Sequence, residues 1–492
     1  MVDYSADGLR AGLGLGQAAP VAETNSEPNE LERRLIEAVV RGALLDLAGS
    51  DPVDDDAMQS WDTSREIRSW VLRDIVRGRL VTEPDPRGLR LRGARITGQL
   101  DLENVTRDLN LALFDCFLPD GLVLQDARLF KVDFSGCRIG QPLHSTDGPI
   151  AADRFTARVM WLDRAVITAD SPTGAVRLLN AHLGLLECNG AKLSNTAGPA
   201  LHADGLQVDQ AVYLRDGFTA TGAGELGAVR LLNAHLGRLD CDGARLSNTT
   251  GPALAADGLQ VDQAVFLRDG FTASDAGERG AVRLLNAHLG RLECNGAKLS
   301  NTTGPALAAD GLQVDQAVFL RDGFTASGAG ERGAVRLLNA HLGLLECDGA
   351  KLSNTAGPAL HADGLQVDQA VFLRDGFTAT AASKRGAVRL LNAQLGRLDF
   401  NGARLINTDG LALLADSLRV DRGVFMRDGF TASGAGKLGA IRLLNAHLGQ
   451  LDCRGAKLSN TAGLPCTLTA CASTKGCSSA TGSERLERAT AR

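Results

Sequence analysis

Aromatic residues are scarce. Only 4% of the 492 residues are aromatic, with 15 Phe, 3 Trp and 2 Tyr. Large rings dominate the cores of most globular domains, so this chain favours a narrower interior of Leu, Val, Ala, Ile and Cys. A run of about 18 apolar residues is also missing, which excludes a helix that spans a membrane. A strong excess of one charge is missing too. The net charge of −6 argues against general nucleic-acid binding. The opening "MVDYSADGLRAGLGLGQ" has no basic segment followed by a continuous apolar one. No secretory leader is expected there, and a cytoplasmic, reducing setting follows. In that setting the ten cysteines read as core thiols rather than a disulfide framework.

What the chain has instead is repetition. "GAVRLLNAHLG" starts at Gly174, and near-copies start at Gly227, Gly280, Gly333, Gly386 and Gly439, each 53 residues after the last. A worn version runs through "LVLQDARLFKVDFSGCRIG" (Leu122 to Gly140) and "DRFTARVMWLDRAVI" (Asp153 to Ile167). Within each copy a shorter period appears. Leu178, Leu183, Cys188 and Leu193 stand five apart, and Val176, Ala181, Leu186 and Ala191 precede them by two. The rhythm resumes at Ala203, Val208, Tyr213 and Phe218, preceded by Leu201, Leu206, Ala211 and Asp216.

A period of five fits neither a helix nor a flat strand. It fits a chain that turns a corner every five residues. Four faces make a square coil of about 20 residues, so each copy holds two coils plus about 13 residues of loop. "SNTAGP" and "TATGAGEL" have the composition of those loops. One coil cannot bury its own apolar side chains, but a stack can. About 14 coils at ~4.8 Å per layer predict a rod on the order of 70 Å.

"LRLRGARITGQLDL" (Leu89 to Leu102) and "NGAKLSN" resemble pentapeptide-repeat proteins. That resemblance implies an all-β solenoid, a right-handed quadrilateral β-helix. More narrowly, "SREIRSWVLRDIV" followed by "LRLRGARITGQLDL" resembles an actinobacterial family often labelled "membrane-associated oxidoreductase". The likeness runs from about Leu31 to Gly463 and concerns architecture, since shared fold carries no active site. Pentapeptide-repeat proteins also include acidic rods that occupy the DNA groove of a topoisomerase such as gyrase, so the resemblance admits that role. Copy 174–226 has three cations against five carboxylates, and copy 280–332 has five against five. The rod is therefore not uniformly acidic.

At the N-terminal end, "ELERRLIEAVVRGALLDLA" places Leu31, Leu35, Ile36, Val39, Val40, Leu44 and Leu47 at helical spacing. A second helix is expected from Thr63, with Thr63 and Glu66 as a capping box. Together they read as a cap over the first coil. The alternative is a partner-binding or nucleic-acid-binding unit using Arg65, Arg68, Arg73, Arg77 and Arg79. Gly14, Gly16 and Ala19 match a dinucleotide fingerprint, but no strand precedes them, and no cofactor is expected.

The tail breaks the pattern. Where other copies read "GPALHADGL", it reads "GLPCTLTAC". Codons GGC CTG CCC TGC ACG CTG ACG GCC TGC encode the latter. One C added after GGC makes them encode Gly-Pro-Ala-Leu-His-Ala-Asp-Gly-Leu, the peptide at Gly198 to Leu206. "ASTKGCSSATGS" likewise converts to Arg-Ile-Asp-Gln-Gly-Val-Phe-Leu-Arg-Asp-Gly-Phe, close to "LRVDRGVFMRDGF" at Leu418 to Phe430. A one-base frameshift near Gly463 follows. Cys466, Cys471 and Cys477 are then by-products, and their spacing matches no zinc signature. The resulting division is 1–29 disordered, 30–84 helical cap, 85–173 degenerate coils, 174–463 regular coils and 464–492 a tail without selected structure. Loss of terminal coils leaves a strand edge near Lys457 to Asn460, open to an end-to-end homodimer.

Four columns invite chemistry. Cys188, Cys241, Cys294, Cys347 and Cys453, with Phe400 in the remaining copy, read as buried small hydrophobes. They lie two layers apart, too far for disulfides. His182, His235, His288, His341 and His447, with Gln394 as the break, should point outward with no ligand beside them in sequence. The Asn180 series suits corners in the left-handed region. Asp209 and Asp216, with Arg215, recur in nearly every copy and read as turn residues and exposed pairs. Six equivalent copies offer no unique catalytic constellation, and no catalytic, cofactor or metal residue is assigned. The sequence thus points to a non-enzymatic scaffold whose protein partner reads a flat face or the inter-coil loops.

Overall fold

In the computed structural model, residues 27–142, 146–462 and 466–472 are described. They form a parallel β-solenoid of about 15 turns behind a small helical cap. One coil shows the plan. Its strands are Val229–Arg230, His235–Leu236, Leu239–Asp240 and Arg245–Asn248. Each pairs in parallel with its counterpart in the next coil: Val229 with Leu254, His235 with Gln260, Leu239 with Val265, Arg245 with Thr272. Four ladders therefore run the length of the rod, one per face. We number the faces one to four in that order.

The fourth face is a sixteen-stranded sheet from Glu66–Arg68 to Lys457–Asn460. In the regular region its successive strands start at Lys192, Thr219, Arg245 and Thr272. Every repeat copy thus contributes two coils, as expected. The core is one continuous column from Leu35 to Ala456. Phe134, Phe155, Phe218, Phe271, Phe324, Phe377, Phe400 and Phe430 are its largest fully buried side chains. Eight of the fifteen phenylalanines lie along this axis.

The corners explain two polar columns. Asn180, Asn233, Asn286, Asn339, Asn392 and Asn445 have φ of 53–55°, and Asp216, Asp269, Asp322, Asp375 and Asp428 have φ of 51–53°. Asn and Asp tolerate this left-handed region better than other non-glycine residues. The neighbouring coil is fitted to the first of these corners. A Cβ on Gly205, itself at φ +68°, would lie 2.3 Å from Asn180 Oδ1.

The second coil of each copy departs from the five-residue rhythm. Leu183 pairs with Val208 but Leu185 pairs with Ala211, so one extra residue is accommodated at Asp209–Gln210. An extra residue reverses which side chains face inward. Val212 and Leu214 are consequently fully buried, Tyr213 turns partly outward, and Asp216 is exposed rather than inward. The expected loops are also shorter than their composition suggests. Lys192–Asn195 and Thr219–Gly222 are strands of the fourth face.

The cap is more than two helices. Helix α1, Glu30–Arg41, starts with a capping box between Asn29 and Glu32 and stops at Gly42, φ 64°. The expected continuation to Leu47 is instead a strand, Leu45–Asp46, paired with Leu91–Arg92. Helix α2 is Asp55–Ser60, with Asp54 as N-cap. The expected Thr63–Glu66 box does not form. Asp62 caps a short 3-10 turn at Thr63–Arg65, and Glu66–Arg68 is a strand against Arg95–Thr97. Helix α3 is Ser69–Val76 and packs on Leu100–Asp101. The cap itself therefore lays the first rung, which explains a turn count slightly above the expected 14. Buried Glu32 ties its parts together: Arg68 Nε donates to Glu32 Oε1 at 2.8 Å. Burial alone would raise the Glu32 pKa, but the Arg68 and Asn29 hydrogen bonds prevail and lower it.

At the other end, Cys466–Ala472 is a strand parallel to Ile441–Leu448, so this part of the tail is not structureless. Cys466 opposes Ile441 as Leu413 opposes Val388. It thus occupies a leucine position of the repeat. Residues 1–26 and 473–492, including the dinucleotide-like match and Cys477, lie outside the described residues. Among the described residues Lys457–Asn460 pairs only with Thr431–Gly434.

Candidate functional site

Each face carries its own repeating side chains. On face one, an arginine reaches back one coil to an aspartate. The pairs are Arg177–Asp153, Arg230–Asp204, Arg283–Asp257, Arg336–Asp310, Arg389–Asp363 and Arg442–Asp416. The same aspartates accept backbone N–H groups, as Asp204 Oδ1 does from Leu232 N at 3.1 Å. Burial pushes the Asp363 pKa up, but hydrogen bonds from His361 and Arg389 outweigh it and hold it at about 2. This ladder joins successive coils and gives each of these aspartates an arginine partner. The partners stand a full coil apart in sequence, beyond any local motif.

On face two, the column reads Thr106, Arg128, Thr156, His182, Gln207, His235, Gln260, His288, Gln313 and His341 along successive rungs. The histidines point outward as expected, His447 included, and His182, His235, His288 and His341 each have a carboxylate beside them that distance along the sequence concealed. His182 Nε2 lies 3.0 Å from Asp209 Oδ1, His235 3.0 Å from Asp262, His288 3.0 Å from Asp315 and His341 3.2 Å from Asp368. The extra residue at Asp209 brings these pairs together. They remain exposed. Among the described residues no group of three His, Cys, Asp or Glu is placed to hold a metal.

Face three carries a feature absent from the sequence reading. Tyr213, Phe266, Phe319, Phe372 and Phe425 form an outward column, one every two coils. Arginines stack on them. Arg238 and Arg268 lie 4.4 and 4.2 Å from the Phe266 ring, and Arg291 and Arg321 lie 4.9 and 4.4 Å from Phe319. Arg374 lies 4.1 Å from Phe372, and Arg397 4.5 Å from Phe425. Cation–π contacts of this kind order both partners. On the rungs between successive rings, in the same column, sit buried carboxylates: Asp240 accepts from Arg238 at 2.6 Å, and Glu293 from Arg268 at 3.0 Å. The signal was present in "FLRDGF" and "LGRLE", but the five-residue phase placed the ring inside.

Face four presents a buried asparagine ladder. Asn195 Nδ2 donates to Ser171 O and Pro199 O, both at 2.7 Å. Asn248, Asn301, Asn354 and Asn407 make similar bonds. One neighbour of this ladder is anomalous. Asp275 stands where other copies have Gly222, Gly328, Ala381 and Gly434. Burial pushes its carboxyl up to about 6, against hydrogen bonds from Gly277, Ala276 and Asn301.

The cysteines fit an apolar slot. Cys188, Cys241, Cys294 and Cys347 are buried, Cys453 partly so, and Phe400 fills the slot in the fifth copy against Phe430, ring centroids 5.7 Å apart. Burial pushes the Cys188, Cys241, Cys294 and Cys347 thiols well up, the reverse of an activated nucleophile. In the cap, Arg65 and Arg68 pair with Asp51 and Glu32, and Arg73 and Arg79 lie near Asp74. Among the described residues only Arg77 of the five has no such pair, so they do not form a free basic surface. No helix among the described residues is long and apolar enough to cross a membrane.

Comparison with known proteins adds nothing to this geometry: no family model, no curated protein and no solved structure matches the chain.

Proposed function

We propose that the chain is a non-catalytic interaction scaffold, a rod that offers a protein partner the same side-chain pattern every two coils. The arginine-flanked ring column of face three carries this reading. Its side chains are held in place by cation–π contacts and buried carboxylates, yet stay partly accessible. Ring and arginine are the residue types enriched at the centres of protein interfaces. Every copy is equivalent, which suits a repetitive or multivalent partner better than a reaction.

The test compares wild-type protein with Phe266→Ala/Phe319→Ala/Phe372→Ala and with a face-two set, His235→Ala/His288→Ala/His341→Ala, in affinity capture from the native host. A partner lost only from the face-three set, then rebound as a purified protein, supports the proposal. A partner indifferent to both sets, or flavin absorbance and nicotinamide turnover by the pure protein, contradicts it. Self-association extends the same reading. End-to-end contact with a second copy near Lys457–Asn460 is the arrangement this extension expects. Sedimentation velocity should then show a concentration-dependent dimer, and a monomer at every concentration would remove that extension.

A further inference from the structure

The regular coils repeat, but the coils before them open a groove of ≈ 550 Å³ on face two. Arg107, Arg128, Phe130, Arg158 and His182 line it, with Asp108 and Asp209 also on its wall. A concavity of that size is in the range of small-molecule sites.

A second, more open depression of ≈ 490 Å³ lies at the other end of face two, at Arg419, Asp421 and His447, without an aromatic ring; register explains the lining of the first. Arg128 stands in the column that later reads His and Gln. Phe130 and Arg158 are cross-rung neighbours, since Arg158 N donates to Phe130 O. The next position in that column is Gly184, and in regular coils it is glycine again, such as Gly237. The degenerate coils thus replace bare backbone and neutral amides with two guanidinium groups and a ring. Rungs ~4.8 Å apart and a two-residue offset put the Arg128 and Arg158 backbones about 8 Å apart, close enough for both side chains to reach one anion.

Three observations point to a ligand. Arg107, Arg128 and Arg158 make no ion pair among the described residues, unlike the arginines of face one. Phe130 is 36% exposed, one of five large apolar side chains left so open among the described residues. Lys131 adds a further cation, its Nζ 5.6 Å from the Phe130 ring centroid. Within the groove three arginines then share the wall with Asp108 and Asp209, and Asp209 already meets His182.

We propose that this groove binds a phosphate-bearing small molecule with a flat portion. The guanidinium groups take the phosphate in bidentate fashion, the Phe130 ring stacks on the flat portion, and Asp108 accepts from a hydroxyl. The proposal is independent of the scaffold reading, because it uses neither face three nor a protein partner.

Calorimetric titration of the full chain with AMP, adenosine, inorganic phosphate and a short single-stranded oligonucleotide tests it. AMP should bind, more tightly than phosphate or adenosine. Arg128→Ala and Arg158→Ala should each weaken AMP about tenfold, in line with the loss of a charged hydrogen bond. Phe130→Ala should weaken it about threefold or more. Arg404→Ala, on face four, should leave it unchanged. All four side chains are exposed, and unchanged thermal melts would confirm intact rods. No AMP binding up to about 1 mM, equal effects of Arg158→Ala and Arg404→Ala, or an oligonucleotide that binds more tightly than AMP would each overturn the assignment.

Discussion

Asp275 offers a quantitative check on the packing of face four. Its side chain is 5% exposed, and its sister copies hold glycine or alanine. Gly277 N donates to Asp275 Oδ1 at 2.7 Å, and Asn301 Nδ2 donates to Oδ2 at 3.1 Å. Burial nonetheless dominates and lifts the folded pKa from 3.8 to about 6. A raised carboxyl pKa means that the folded state binds the proton more tightly than the unfolded chain. Stability is then greatest below about pH 4 and falls as pH rises through 6. By pH 7 the cost is about 3 kcal/mol at most. Asp275→Ala reproduces the environment of Ala381. It removes that cost but leaves the backbone N–H groups of Gly277 and Ala276 without this acceptor, together worth about 1–2 kcal/mol. A net gain of about 1–2 kcal/mol at pH 7 is expected, shrinking to nothing or reversing at pH 4. Hydrogen exchange in Thr272–Asp275 and Lys298–Asn301, corrected for intrinsic rate, reads this locally, as a repeat array requires. Equal protection of both proteins at pH 7, or a gain that persists undiminished at pH 4, would refute the reasoning.

Three further outcomes follow from the same contacts. Asn354→Ala removes donors to Gly330 O and Pro358 O and an acceptor for Ala356 and Gly357; it should cost about 2–4 kcal/mol locally, seen as faster exchange in Lys351–Asn354. Cys188, Cys241, Cys294 and Cys347 are buried with raised pKa, so a thiol reagent at pH 8 should leave all four unlabelled until denaturant is added. Arg68→Ala strands the buried Glu32 carboxylate and should loosen the cap by about 3 kcal/mol or more, read as faster proteolysis within α1 while the central coils stay protected.

The solenoid was legible because its determinant is local. A small and a large apolar residue recur every five positions from Val176 to Leu193, and the structure buries all eight. Two kinds of feature were not legible. One is phase: a single extra residue, at Asp209–Gln210 before Tyr213 and again between Val261 and Val265 before Phe266, turns those rings outward, and composition gives no sign of it. The other is pairing across rungs. Arg230 meets Asp204, and His182 meets Asp209, only because successive coils stack in register. The cap was misread for a third reason. Gly42 ends α1 where the apolar spacing continues, and the chain then joins the ladders as strands because an open edge is available at Leu89–Arg92.

The account depends on two stacked coils in every repeat copy. Removing residues 280–332 joins Arg279 to Gly333 and preserves the "ERG" junction. Small-angle scattering should show a folded rod shorter by two rungs, about 10 Å, with the same cross-section and the same melting behaviour. A changed cross-section, an unshortened particle or a collapsed, unfolded chain would contradict the architecture on which every face described above is built.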